Sequence, residues 1–375
     1  MPPLHVMVVL GTRPEAIKLA PVIHRLREQS HRFETTVCVT AQHRQLLDQA
    51  LSVFDIRPDI DLNLMTRDQS LTELTARILT TFGNVLDQRK PECILVQGDT
   101  TTVMACALAA FYRRVQVGHV EAGLRTDNKF SPFPEEINRR LATQLSDYHF
   151  APTEGARQRL LREGVAPETI HVTGNTVIDA LLMARDKTRG RRFEWGSVTP
   201  ESLEGRRVVA ITGHRRENFG EGFLAICRAI RRLAERFGDV SFIYPVHLNP
   251  NVQAPVFAHL GSLPNVHLIE PLDYLPFVAL MERSCLILTD SGGVQEEAPS
   301  LGRPVLVMRD TTERPEAIEA GTARLVGARE DTIYAEAARL LEDAGARETM
   351  SRARNPFGDG HAAERIVKIL DHSLR

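Results

Sequence analysis

Short runs of consecutive apolar residues recur along the chain, each followed by a turn and a longer stretch with apolar positions at helical spacing. The runs at 4–10, 36–40, 93–97, 115–120, 149–151 and 170–173 are short and β-prone enough to be buried strands. The stretches between them predict helices after Gly11, over about 42–54 and 71–89, from Thr100 to Tyr112, from near Pro134 and again before residue 170. Pro14 fits a first helical position, where its missing N–H costs nothing. The pattern restarts at 208–212 and continues through strands at 240–246, 266–269, 285–288 and 304–308. Its helices end near 236, run over 277–283, follow Gly293 and cover 332–343, before a closing helix over about 362–373. Such alternation defines an α/β chain of doubly wound parallel sheets. A length of 375 residues calls for two domains, placed at 1–175 and 176–356, with the polar stretch 186–207 reading as a linker.

The charge balance, 46 basic against 48 acidic residues for a net −2, directs the chain neither to nucleic acid nor to an anionic membrane. Its five cysteines are scattered through apolar runs without a CxxC pair, which fits small buried side chains in a reducing compartment. No basic region with a long apolar core opens the chain, and no apolar run approaches about 18 residues. The expectation is a cytoplasmic protein without a membrane span. No HxxxH or EF-hand spacing supports a metal site.

Candidate chemistry gathers at strand ends. Residues 286–316 read as strand, glycine turn, helix and strand, a βαβ unit whose ligand edge lies at the strand's carboxyl end. The N–H groups of Ser291, Gly292 and Gly293 point at an anion, aided by the positive end of the helix dipole. Glu297, acceptor-only when ionised, suits a hydroxyl pair such as a ribose, and Arg314 supplies a cation. The whole reads as a cradle for a nucleoside diphosphate, although Ser-Gly-Gly alone is also an ordinary helix cap. In the first domain, the turn at 11–18 is neither a Walker loop nor GxGxxG, yet Arg13 and Lys18, five apart, reach toward one anion unless both are merely solvated. Asp99, Glu121 and Glu135 stand around one edge, an arrangement that suits general acid/base work, with helix capping as the plainer role of Asp99. His214 opens the second domain's first crossover, where it contacts a phosphate, moves a proton or caps; His247 is a weaker parallel. Phe277 either stacks on a base or belongs to the core.

These stretches together resemble the bacterial non-hydrolysing UDP-N-acetylglucosamine 2-epimerases. The resemblance rests on GTRPEAIK (11–18), GDTTT (98–102), GHVEAGLRT (118–126), PFPEEINRR (132–140), TGNTVIDAL (173–181), GHRREN (213–218), YPVHLNP (244–250), TDSGGVQEEAPSLG (289–302), RDTTERPE (309–316) and NPFGDG (355–360), in order over nearly the whole chain. It implies a glycosyltransferase-B-like fold of two Rossmann-like domains facing across a cleft, with a C-terminal helix, about 357–375, packed back on the first. It also implies a homodimer without nicotinamide or other cofactor, serving polysaccharide biosynthesis. The implied activity interconverts UDP-N-acetylglucosamine and UDP-N-acetylmannosamine, by eliminating UDP to leave 2-acetamidoglucal and then adding it back. By position, the catalytic set is Asp99, Glu121, Glu135 and His214, with Arg13, Lys18 and His214 toward the diphosphate and sugar. Ser291, Gly292, Gly293 and Arg314 then hold phosphate, Glu297 the ribose, and Phe277 with the backbone at Leu272 the uracil. Some members are activated by a second substrate molecule; the matching Gln42, Gln45, Arg215 and His247 are present, whereas an arginine of those members falls on Asp68. A UDP-dependent glycosyltransferase of the same fold and a non-catalytic nucleotide-sugar sensor are the competing readings.

Overall fold

The computed structural model describes residues 2–40, 44–64 and 69–374, with the backbone alone for 44 and 45. Two compact units make up the chain, Met1–Met183 with Phe357–Arg375, and Ala184–Pro356. The first holds β1 (Leu4–Leu10), β2 (Phe33–Val39), β3 (Ile60–Asp61), β4 (Cys93–Gln97), β5 (Gln116–Val120), β6 (Tyr148–Ala151) and β7 (Ile170–Val172). All pair in parallel, in the order β3-β2-β1-β4-β5-β6-β7. Helices cover the sheet, so its inner strands are buried along almost their whole length and read as continuous apolar runs. β2 starts earlier than its apolar run suggests, because Phe33 pairs with Leu4 and buries its ring.

The second unit holds β8 (Arg207–Thr212), β9 (Val240–Pro245), β10 (Val266–Ile269), β11 (Leu286–Thr289), β12 (Val305–Val307) and β13 (Ala323–Leu325). Their order is β10-β9-β8-β11-β12-β13, again parallel. Both sheets reverse their winding beside the first strand, between β1 and β4 and between β8 and β11. The carboxyl ends flanking such a reversal are where open α/β sheets receive ligands.

Several elements escape the hydrophobic pattern, among them one helix and one strand of the second unit. Helix Pro250–Leu260 is masked by its prolines, yet Pro250 sits in the first turn and the Asn249 side chain caps the Asn251 N–H at 2.9 Å. β13 has three residues, too few for a period to show. The polar stretch 186–207 is more than a tether. Trp195 is buried there, and its indole N–H donates to the Pro276 carbonyl at 2.9 Å, anchoring the segment on the second unit. Helix Ala362–Ser373 belongs to the first unit, where the buried Asp179 carboxylate accepts from the N–H groups of Ala362 and Ala363 at 3.2 and 2.9 Å. It replaces the cap that His361 does not provide. Among the described residues no helix is long and apolar enough to cross a membrane.

His119, in the middle of the first sheet, links fold stability to pH. Its Nε2–H donates to the Gly98 carbonyl at 2.7 Å, which leaves Nδ1 a buried acceptor without a protein partner. Burial lowers its pKa to about 4. An unfolded histidine titrates near ~6.5, so the stabilising neutral form is fully present above that pH and is lost as pH falls toward the folded value. Thermal unfolding followed from neutral to acid pH should therefore show a steeper loss in the unaltered protein than in His119→Gln; equal slopes would remove this histidine from the acid sensitivity.

Candidate active site

At the carboxyl edge of the first sheet, Glu121 directly follows β5 with φ +67°. A non-glycine residue there costs about 1–3 kcal/mol, held only where its surroundings over-determine it. They do so here. Lys18 Nζ lies 2.7 Å from both carboxylate oxygens, Asn175 Nδ2 donates to Oε1 at 3.1 Å, and the Gln97 amide donates to Oε2. These neighbours are all donors, which suits an ionised, acceptor-only carboxylate that is only 7% exposed. Lys18, in helix Arg13–Glu28, thus reaches an acid of its own unit, whereas Arg13 opens the helix with no ion-pair partner among the described residues.

The neighbouring strand ends are tied together by Glu15. Its Oε2 accepts from the N–H groups of Gly11 and Thr12, both at 2.6 Å, while Oε1 takes the Thr100 hydroxyl at 2.5 Å. Burial raises the Glu15 pKa against the pull of those bonds. Gly11 has to be glycine because a Cβ would lie 2.3 Å from Thr102 Oγ1. Asp99, after β4, is gripped by helix Glu135–Leu145: Asn138 Nδ2 donates to its carbonyl at 3.0 Å and Arg139 to its Oδ2. Glu135 stands three and four residues before these, on the same helix face. The fold therefore places Asp99 against the helix that Glu135 opens and adds Arg139, which was not singled out although it lies in the PFPEEINRR motif.

In the second unit, helix Gly292–Ser300 begins after β11 without a side-chain cap from Ser291. A Cβ on Gly292 would come 2.7 Å from Arg314 Nη1, so the missing side chain lets the guanidinium lie over the helix start. Arg314 is aimed by the buried Glu296, whose Oε1 accepts from Nε at 2.6 Å. Glu297, one residue on, accepts the Tyr274 hydroxyl at 2.8 Å. Tyr274 begins helix Tyr274–Arg283, which carries Phe277 one turn later, and Leu272 leads into it. His214 follows β8. Asp290 Oδ2 accepts the N–H groups of His214 and Arg215, both at 2.8 Å, and its Oδ1 lies 3.3 Å from His214 Nδ1. His247 stacks on His214 with ring centroids 5.6 Å apart. Burial lowers the His214 pKa, Asp290 opposes this, and Arg215, His247 and Arg309 reinforce it. Asp290 carried no separate signal beyond its place before Ser-Gly-Gly. Gln42, Asp68 and the side chain of Gln45 lie outside the described residues.

The architecture defines an α/β protein of two Rossmann-like units, each with ionisable groups gathered at the carboxyl edge of its sheet. The chain belongs to the UDP-N-acetylglucosamine 2-epimerase family, whose model matches residues 24–371. It is 56% identical to UDP-N-acetylglucosamine 2-epimerase of Salmonella typhimurium over 370 residues, 98% of each chain. It is also similar to the crystal structure of a Neisseria meningitidis UDP-GlcNAc 2-epimerase bound to UDP-GlcNAc, with 50% identity, a TM-score of 0.88, and coverage of 98% of this chain and 99% of that one. A Listeria monocytogenes structure described as a putative UDP-N-acetylglucosamine 2-epimerase matches at 47% identity and a TM-score of 0.92, over 98% and 96% of the two chains. The fold class is that of these neighbours, glycosyltransferase-B-like α/β.

Proposed function

We propose that this chain interconverts UDP-N-acetylglucosamine and UDP-N-acetylmannosamine by eliminating and re-adding UDP, without an oxidising cofactor. The observation that carries this reading is the pair of acids after β4 and β5, Asp99 and Glu121, with Glu135 opening the helix that holds Asp99, in a family whose members are named for the reaction. The second unit binds the nucleotide: turn amides at 291–293 and Arg314 take the diphosphate, Glu297 the ribose, and Phe277 with the Leu272 backbone the uracil. The bond from the anomeric carbon to the UDP oxygen breaks first, and its electron pair leaves with UDP. Arg314, the turn amides and His214 stabilise that charge. The oxocarbenium character so created acidifies the carbon-2 proton, which passes to a carboxylate of the first unit. The neutral 2-acetamidoglucal is left bound. Return of a proton to the opposite face of carbon 2, and of the UDP oxygen to carbon 1, yields the manno isomer.

The test is an NMR time course in deuterated water with UDP-N-acetylglucosamine as the sole substrate. The manno isomer should appear with deuterium at carbon 2. Turnover that requires an added acceptor would instead indicate a glycosyltransferase, and binding without turnover a sensor.

The protein acts as a homodimer in this reading. Ile137 and Leu141, 39% and 45% exposed, share one face of helix Glu135–Leu145, and Phe111 and Tyr112 end the helix packed beside it. Such apolar exposure suits a subunit contact. Leu141→Asp should convert a dimer to a monomer in sedimentation velocity; an unchanged mass would move the contact elsewhere.

A further inference from the structure

The orientation of Glu297 depends on a residue with no assigned role, Tyr274. Tyr274 is 6% exposed, and its hydroxyl donates to Glu297 Oε1 at 2.8 Å. The other oxygen, Oε2, is directed toward the glycine turn, 3.7 Å from where a Cβ on Gly293 would sit. Tyr274 is itself braced. It is the first residue of a helix whose third residue, Pro276, receives the Trp195 indole N–H at 2.9 Å. The neighbouring Gly196 packs so closely on Ile269 that a Cβ would come 2.9 Å from its Cγ2. The segment 270–276 is therefore pinned near both ends. Phe277, three residues beyond Tyr274, projects from the same side of that helix.

We propose that Tyr274 is the positioning residue for ribose recognition, locking Glu297 into the rotamer that meets the ribose hydroxyls and tying it to the helix that carries Phe277. The inference rests on the assignment of Glu297 to the ribose. A carboxylate is free to turn about two or three bonds, and each ribose hydrogen bond is weakened if it must first be ordered. A phenol fixed by packing removes that freedom before the ligand arrives. It donates without adding charge, so the carboxylate keeps its acceptor character. The consequence is discrimination: a prepared acceptor rejects a nucleotide that lacks the hydroxyl.

Isothermal titration with UDP and with 2′-deoxy-UDP tests this on the full chain. The unaltered protein should prefer UDP on the order of tenfold or more, the value of a hydrogen bond to a charged group. Tyr274→Phe removes only the hydroxyl oxygen and should reduce that preference several-fold, chiefly by weakening UDP, while kcat at saturating substrate is retained. Glu297→Ala should abolish the preference, and adding Tyr274→Phe to it should change nothing further. If Tyr274→Phe weakens both nucleotides by the same factor, Tyr274 is only part of the scaffold and the inference is wrong. If Glu297→Ala leaves the preference intact, the ribose assignment itself fails, whatever Tyr274→Phe does. Thermal unfolding of each variant accompanies the titrations, and Tyr274→Leu supplies the same comparison should the phenylalanine variant not accumulate.

Discussion

Glu121→Gln should lower turnover of UDP-N-acetylglucosamine by about a thousandfold, within the range that a positioned acid or base contributes. UDP affinity should stay near that of the unaltered protein, because Glu121 is assigned to proton transfer at the sugar and makes no assigned contact to the nucleotide. The glutamine has the same shape but turns a donor toward Lys18 Nζ, which now lies 2.7 Å from each carboxylate oxygen. Breaking this largely buried pair also leaves an ammonium without its counter-charge, so the melting temperature should fall as well. Lys18→Met in the same chain should recover much of the stability and none of the rate. Steady-state kinetics, UDP titration and thermal unfolding separate the effects. Near-normal turnover with intact UDP binding would take Glu121 out of the proton-transfer step.

The second large effect is expected at Asp290. This carboxylate is fully buried, holds the two N–H groups that shape the loop after β8, and faces His214 Nδ1. In Asp290→Asn the amide oxygen can still accept from the backbone, so the loop survives. The anion beside the imidazole is lost. Burial and the cations Arg215 and Arg309, with His247, then act on His214 unopposed, and its pKa falls further. A lower pKa means that the imidazolium persists only at lower pH. If His214 stabilises the departing diphosphate as a cation, the alkaline limb of the rate profile moves to lower pH. Activity at neutral pH should drop by about tenfold to a hundredfold, consistent with the loss of a charge-assisted contact in the transition state. The His214 ring is partly exposed, so water screens part of the effect. An NMR titration of the His214 ring protons in both proteins checks the cause. A slower enzyme with an unmoved profile would leave Asp290 a purely structural residue.

Much of the site could be located along the chain because its residues sit immediately after apolar runs. Gly98-Asp99, Glu121, Gly213-His214 and Ser291-Gly292-Gly293 each follow a strand, and strand ends are where open sheets bind ligands. The partners of those residues could not be found in the same way. Lys18 and Glu121 are 103 residues apart, His214 and Asp290 76, Arg139 and Asp99 40, and Tyr274 and Glu297 23. No local period links such pairs. Trp195 shows the same limit: in a polar stretch it reads as linker, yet it is anchored at the Pro276 carbonyl, 81 residues away.

The alternating α/β architecture, the strand-end positions of the acids and of the glycine turn, and the family are all legible in the order of residues alone. These follow from local periods and short motifs, each written within about one turn or strand of chain. The tertiary structure alone shows that β4 pairs with β1 and β5 with β4, and that β11 pairs with β8. That order brings Lys18 to Glu121 and Asp290 to His214. The physical reason is that strand order is chosen by burying both faces of a sheet at once, a property of the whole packed unit and of no single segment.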